Sequence, residues 1–168
     1  MPSGVLCHDE VRTIERSNTA LALVVTVGAR VCAIPVGHVV ETMRPLPIEH
    51  LVGTPAFIQG ISVIRGMPIP VVDLHALLDG GGTGAVCTRF VTVKVDDRRF
   101  ALAVDSVVGL RTLRRAQLQD LPPLLRDTGP DIVESIGTLD ETLLVVLRAT
   151  RLVPDEVWGA LATSMEAQ

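Results

Sequence analysis

Leu21-Ala22-Leu23-Val24-Val25-Thr26-Val27, then Gly28-Ala29, then Arg30-Val31-Cys32-Ala33-Ile34-Pro35-Val36 decide the fold. Two β-branched runs flank a two-residue turn, which is the pattern of a hairpin. The same pattern returns later in the chain. Phe90-Val91-Thr92-Val93-Lys94-Val95 leads through Asp96-Asp97 into Arg98-Arg99-Phe100-Ala101-Leu102-Ala103-Val104. Laid together at a constant offset without gaps, Val25 falls on Val93, Arg30 on Arg98, Ala33 on Ala101 and Val36 on Val104. The pair Val39-Val40 falls on Val107-Val108. Register kept through the turn marks an internal repeat rather than two unrelated valine-rich hairpins.

Each block continues with a second hairpin. Ile61 to Gly66 pairs with Ile69 to Asp73 in the first block, and Ile136 to Glu141 with Leu144 to Arg148 in the second. Short helical stretches follow at His75–Leu78 and Thr150–Val153, with Asp73 placed to cap the first. Val39 to Met43 is extended, until Pro45 and Pro47 interrupt it. Residues 1–19 form a flexible, charged leader. Residues 20–153 form one domain, with a subdomain over about 20–79, a glycine-rich linker over about 80–86 and a second subdomain over about 87–147, with some strand exchange. Residues 154–168 form a C-terminal helix with Val157, Trp158 and Leu161 on one side. Five short, bent strands bury little as an open sheet, so each block closes as a small barrel. The expected architecture is mainly β: two five-stranded barrels on a shared aliphatic core.

Composition narrows the function. Of 168 residues, 48% are apolar and 20% charged, which suits a folded domain large enough for a real core. Aromatic residues are scarce, with Phe57, Phe90, Phe100, Trp158 and no tyrosine, so the core is aliphatic. Lys94 is the sole lysine and follows no glycine-rich loop, which excludes a Walker-A phosphate site. A net charge of −4 with no basic tract excludes a nucleic-acid footprint. No apolar run reaches bilayer length, and the polar N-terminus has no signal-peptide core. Cys7, Cys32 and Cys87 are odd in number and dispersed, which points to the cytoplasm rather than a disulfide framework.

Catalytic constellations are thin. His8, His38, His50 and His75 have no metal-ligand spacing. No serine sits in a GxSxG elbow, and no cysteine has a neighbouring histidine at a recognised spacing. Cys32 and Cys87 lie in strand patterns and read as small buried hydrophobes. Gly80-x-Gly82-x-x-Ala85 follows a short helix and precedes a strand, the reverse of a dinucleotide motif, and reads as a linker. Asp96-Asp97 and Asp140-Glu141 read as turn formers. Asp73 and Asp105 each close an apolar run and read as caps. Arg65-Gly66 is the most informative dipeptide, because it ends an apolar strand just before Pro68 and Pro70. Two prolines at alternate positions mark an edge strand or a bulge. An arginine at such a corner is either a surface ion pair or an interface anchor.

Four further segments carry a resemblance. Thr54-Pro55-Ala56-Phe57-Ile58-Gln59-Gly60-Ile61-Ser62-Val63-Ile64-Arg65-Gly66 runs into Pro70-Val71-Val72-Asp73-Leu74. Val39-Val40-Glu41 precedes them and Val104-Asp105-Ser106-Val107 follows. Together they resemble the CheW-family coupling proteins of bacterial chemosensory arrays, over about Ala20 to Val153. Val63 stands where the family pattern has asparagine, and the Gly80–Gly84 spacer is unusually rich in glycine. The resemblance implies two SH3-like five-stranded barrels and a non-enzymatic adaptor, with no catalytic residue, cofactor or metal. It implies an adaptor that is a monomer when alone, cytoplasmic, and recruited to membrane-associated receptor arrays without inserting into the membrane. Its partners would be the regulatory domain of the histidine kinase CheA and the cytoplasmic tip of chemoreceptors. Kinase contact is expected at Val39, Glu41, Gly60, Arg65 and Gly66. Receptor contact is expected in the groove between the barrels, near Arg89, Ala101 and Val104. The other readings are an adaptor of a twitching-motility or c-di-GMP pathway, and a small-molecule-binding double barrel or enzyme using Asp73 or Asp105.

Overall fold

A computed structural model describes residues 18–79, 87–123 and 131–166. Residues 1–17 of the expected leader, the glycine-rich linker, Cys7 and His8 lie outside the described residues, and Thr19, expected in the leader, already belongs to the first strand. The first block supplies β1 (Thr19–Val27), β2 (Arg30–Pro35), β3 (Val39–Met43), β4 (Ile58–Ile64) and β5 (Met67–Asp73). A short helix α1 (Leu74–Asp79) follows. The second supplies β6 (Arg89–Val95), β7 (Arg98–Val104), β8 (Ser106–Arg114), β9 (Val133–Leu139) and β10 (Thr142–Leu147), and the helix α2 (Asp155–Glu166) ends the described chain. Cys87 lies just before β6 rather than within a strand. No helix among the described residues is long and apolar enough to cross a membrane.

The strands form two five-stranded sheets, ordered β8-β1-β2-β10-β9 and β3-β6-β7-β5-β4. Each sheet mixes the two blocks. The leading hairpin of the first block sits among the last three strands of the second, and the leading hairpin of the second sits among the last three of the first. The repeat holds in the pairing itself. Val25 lies opposite Cys32 and Val107, and its counterpart Val93 lies opposite Phe100 and Val39. Both sheets contain one parallel pair, β2 with β10 and β7 with β5. The turns repeat as well. Gly28 and Asp96 open theirs at positive φ, and Arg65-Gly66 and Asp140-Glu141 hold positive φ at both positions, as a tight type I′ hairpin requires.

Both sheets close on themselves. β3 and β4 stand at opposite ends of their sheet, yet Glu49 N–H donates to Ile61 O and Ile61 N–H to Glu49 O, each at 2.8 Å. In the other sheet Gln119 N–H donates to Ile136 O at 2.8 Å and Ile136 N–H to Gln119 O at 2.9 Å. The crossing is tight at Gly60, at φ +148°, where an added Cβ would lie 2.1 Å from Glu49 O. In the other barrel Gly137 lies beside the matching crossing, and there an added Cβ would lie 2.7 Å from a methyl of Leu118.

Strand alternation feeds three cores. Ala22, Val24, Ala33, Leu113, Leu144 and Val146 fill one barrel, and Ile64, Ile69, Val71, Phe90, Ala101 and Ala103 fill the other. The intervening residues of the same strands, among them Leu23, Val25, Ile34, Val72, Val93, Phe100, Leu102 and Leu147, meet in a larger core between the barrels. One barrel interior holds a single ring and the other none, which accounts for the aromatic scarcity. α2 seals the shared core with Leu161, with Trp158 tilted against Phe100 at a centroid distance of 6.1 Å. Arg98 lies over the Trp158 ring at 5.4 Å and is ion-paired to Asp155.

The prolines of β5 place it differently from the expected edge. β5 is internal to its sheet, and β4 is the end strand. Its parallel partner β7 covers only Val71 to Asp73, so Pro68 and Pro70 lie where no neighbour requires their missing N–H. Asp73 and Asp105 are caps as expected. Asp73 Oδ1 accepts from the N–H groups of His75 at 3.0 Å and Ala76 at 3.3 Å, and Asp105 Oδ2 accepts from Gly28 N–H at 2.6 Å. Asp73→Ala is expected to cost about 1 kcal/mol, a fall of roughly 2–4 °C in Tm for a chain of this size. A thermal melt checks it.

Candidate functional site

Barrel closure brings together residues far apart in sequence. Glu41 sits on β3, one end of its sheet, and Arg65 opens the turn after β4, the other end. Their side chains meet across the closed mouth. Arg65 Nε donates to Glu41 Oε1 at 2.9 Å and Nη2 donates to Oε2 at 2.8 Å. This is the fork-on-carboxylate geometry that arginine makes and lysine does not. The guanidinium holds the Glu41 carboxyl below the usual carboxylate range, first through these hydrogen bonds. The same bonds push the Arg65 guanidinium up. Arg65 remains 77% exposed, so the pair faces solvent and any partner.

The pH dependence follows from the sign. A carboxyl with a lowered folded pKa adds stability above its ordinary range near 4.3 and loses it as pH falls through the folded value. The difference in Tm between the native protein and Glu41→Gln is therefore expected to be small at neutral pH, as for any exposed pair, and to vanish as pH is taken below about 4. A series of melts from neutral pH downward checks it. A constant difference would remove the pair from the account.

Five residues were expected at a kinase surface. Arg65, Gly66 and Glu41 form the exposed corner. Val39 is half-buried on β3 and packs against the shared core. Gly60 is buried at the strand crossing, so its part is to let the loop after β3 lie against β4. Three were expected at a receptor surface. Arg89 is exposed at the start of β6, directly opposite Val104. Ala101 and Val104 are 0% and 1% exposed, one inside a barrel and the other in the shared core, so their side chains offer no docking surface.

Sequence reasoning missed the exposed apolar residues. Val63 is 65% exposed, opposite the exposed Pro68 and two residues before Arg65. On the other sheet Leu21, Val108 and Leu110 are 44%, 45% and 53% exposed. An apolar residue in a strand run reads as core, and only the structure shows which ones the second barrel fails to cover.

Two clefts flank the Thr150–Asp155 segment. The larger, about 620 Å³, lies between the Asp96-Asp97 turn and α2, with Phe100 and Trp158 among its walls. The smaller is about 490 Å³. Neither is lined by Asp73 or Asp105. Cys87 donates its Sγ–H to Arg89 O, and burial pushes its thiol pKa up, which disfavours the nucleophilic thiolate. Among the described residues no group of three or more His, Cys, Asp or Glu has a metal-binding arrangement.

The CheW-like domain family matches residues 21–157, the whole span of both barrels and the start of α2. The chain belongs to the CheW-like family. The chemotaxis protein CheW of Klebsiella aerogenes is 23% identical over 135 residues, covering 80% of this chain and 81% of that one. CheW of Treponema pallidum is 23% identical over 130 residues, covering 73% and 72%. Among solved structures, the crystal structure of the scaffolding protein TtCheW from Thermoanaerobacter tengcongensis aligns with a TM-score of 0.69 at 24% identity, covering 77% of this chain and 88% of that one. Two five-stranded sheets with few helices are thus the CheW-like fold.

Proposed function

We propose that this CheW-like chain is a non-enzymatic adaptor that couples chemoreceptors to the CheA histidine kinase in the cytoplasm. The observation that carries the reading is the Glu41–Arg65 clasp, an exposed, geometrically fixed corner on the rim of one barrel. The kinase's regulatory domain docks on this corner, with Val63 and Pro68 supplying the apolar contact beside it. A receptor helix lies where the two barrels diverge, against Leu21, Val108 and Leu110, an apolar strip suited to helix-in-groove recognition. Two modest interfaces suffice, because an array multiplies weak contacts.

Co-sedimentation tests this. Membranes carrying the receptors are mixed with the kinase, with and without the adaptor. The kinase is expected in the pellet only when the adaptor is present. An equal amount of kinase in both pellets would reject the role.

A further inference from the structure

The repeat gives the molecule two equivalent corners, and one is filled where the other is open. The pairings fix the correspondence. In the two parallel pairs Val71 lies opposite Ala101 and Val146 lies opposite Ala33, and Ala33 is the repeat counterpart of Ala101. Val71 therefore matches Val146 and, counting on, His75 matches Thr150. Gly28 matches Asp96 by the offset that sets Val25 on Val93. At the first corner the His75 ring packs on the hairpin turn, where a Cβ added at Gly28 would lie 3.4 Å from His75 Cδ2. At the second corner the shorter Thr150 stands in that place and is exposed. The space left over is part of the cleft of about 620 Å³ between the Asp96-Asp97 turn and α2. A cleft that one half keeps and its twin closes with an imidazole is not demanded by the fold.

The walls define the chemistry. Phe100 and Trp158 give the cleft an aromatic side. Asp96 and Asp97 line the opposite rim, both are exposed, and neither has an ion pair among the described residues. The two arginines of the cleft are already engaged, Arg98 with Asp155 and Arg151 with Asp131. The charge left open is therefore negative. Arg98 also shows which group suits such walls. Its guanidinium lies over the Trp158 ring at 5.4 Å and reaches the Asp155 carboxylate, a planar cation held between a ring and an acid.

We infer that this cleft binds a guanidinium group, seated between the Asp96-Asp97 carboxylates and the Trp158 side. A planar cation matches the flat ring that fills the twin corner, the charge left open at the turn, and the aromatic wall that Arg98 already engages. A free small molecule and an arginine side chain of a partner share this chemistry. The site is separate from the Glu41–Arg65 corner and from the strip at Leu21 and Leu110, and it does not rest on the coupling reading.

Trp158 is the sole tryptophan and the chain has no tyrosine, so the protein's fluorescence reports on a wall of the cleft. The test titrates the native protein with agmatine, which carries a guanidinium, with putrescine, which carries only ammonium groups, and with a short peptide amide holding one arginine. Agmatine is expected to give a saturable change in emission with a Kd below about 1 mM, and putrescine to bind about ten-fold more weakly. Thr150→His, which restores the filling seen in the twin, is expected to abolish the response. Asp96→Asn combined with Asp97→Asn is expected to weaken agmatine about ten-fold. Asparagine tolerates the positive φ of Asp96, and this double variant decides the matter if Thr150→His does not fold by circular dichroism. Tighter binding of agmatine than of the peptide supports the site with a small molecule as its ligand, and the reverse supports it with a partner's arginine. No saturable response to either, equal binding of putrescine, or native affinity in both variants would overturn the inference. Co-sedimentation of the kinase is unaffected by any of these results, so the two readings fail separately.

Discussion

Gly60→Ala is expected to destabilise the protein by about 3 kcal/mol, close to 10 °C in Tm. Two effects act together. The residue holds φ +148°, a region open to glycine and strained for any side chain. The new methyl would also lie 2.1 Å from Glu49 O, a backbone atom that cannot rotate away. Glu49 moves only if the two hydrogen bonds closing the barrel at Ile61 break. The loop after β3 then lifts, and the Glu41–Arg65 corner loses its geometry. Gly137→Ala is the control. Its methyl would meet the end of the Leu118 side chain, which can turn aside, and would come no nearer than 3.2 Å to backbone, at Gln117 O, so a clearly smaller loss is expected. Urea titrations of both variants check this. Equal losses, or a change at Gly60 under about 1 kcal/mol, would contradict the closure account.

Arg65→Ala is expected to do the reverse, leaving the melting curve almost unchanged while weakening binding of the kinase's regulatory domain on the order of ten-fold. The ion pair is exposed, and such pairs add little to folding. Its value is in geometry: the bidentate fork fixes two strand ends that have no backbone bond at that point. Arg65→Lys sharpens the reading. It keeps the charge and loses the fork, so binding is expected to fall nearly as far as for alanine. Calorimetric titration against the regulatory domain measures both. Native affinity in Arg65→Ala would remove the corner from the interface, and native affinity in Arg65→Lys alone would mean that charge, not geometry, matters.

Much of the fold was legible in the sequence because the decisive signals are local. The hairpins, their turns and the repeat appear in the register of Val25 on Val93 and Arg30 on Arg98, and the structure keeps that register. What is not local stayed hidden. The parallel pairs β2–β10 and β5–β7 join opposite halves of the chain, and no turn announces them. The extent of β7's cover along β5 decides whether Pro68 and Pro70 mark an edge, and a sequence carries no such length. The candidate site divides in the same way. Arg65 was singled out from its strand corner and Glu41 from a resemblance, while their bond depends on a closure that sequence does not express. Ala101 and Val104 lie on a strand buried on both faces, where the apolar run loses its alternation and inside cannot be told from outside.

The exchanged hairpins have a consequence for how the chain can be divided. Cut between Asp79 and Cys87, the protein would give one piece with β1 to β5 and another with β6 to β10. Neither piece holds a complete sheet: β3 would lack β6, β5 would lack β7, and β1 would lack β8. The two barrels are therefore not two folding units. They are interlocked halves, and fragments cut there are expected to fold only when mixed, like the parts of a split reporter. A protein whose proposed task is to hold others together is itself held together only by its two halves in common.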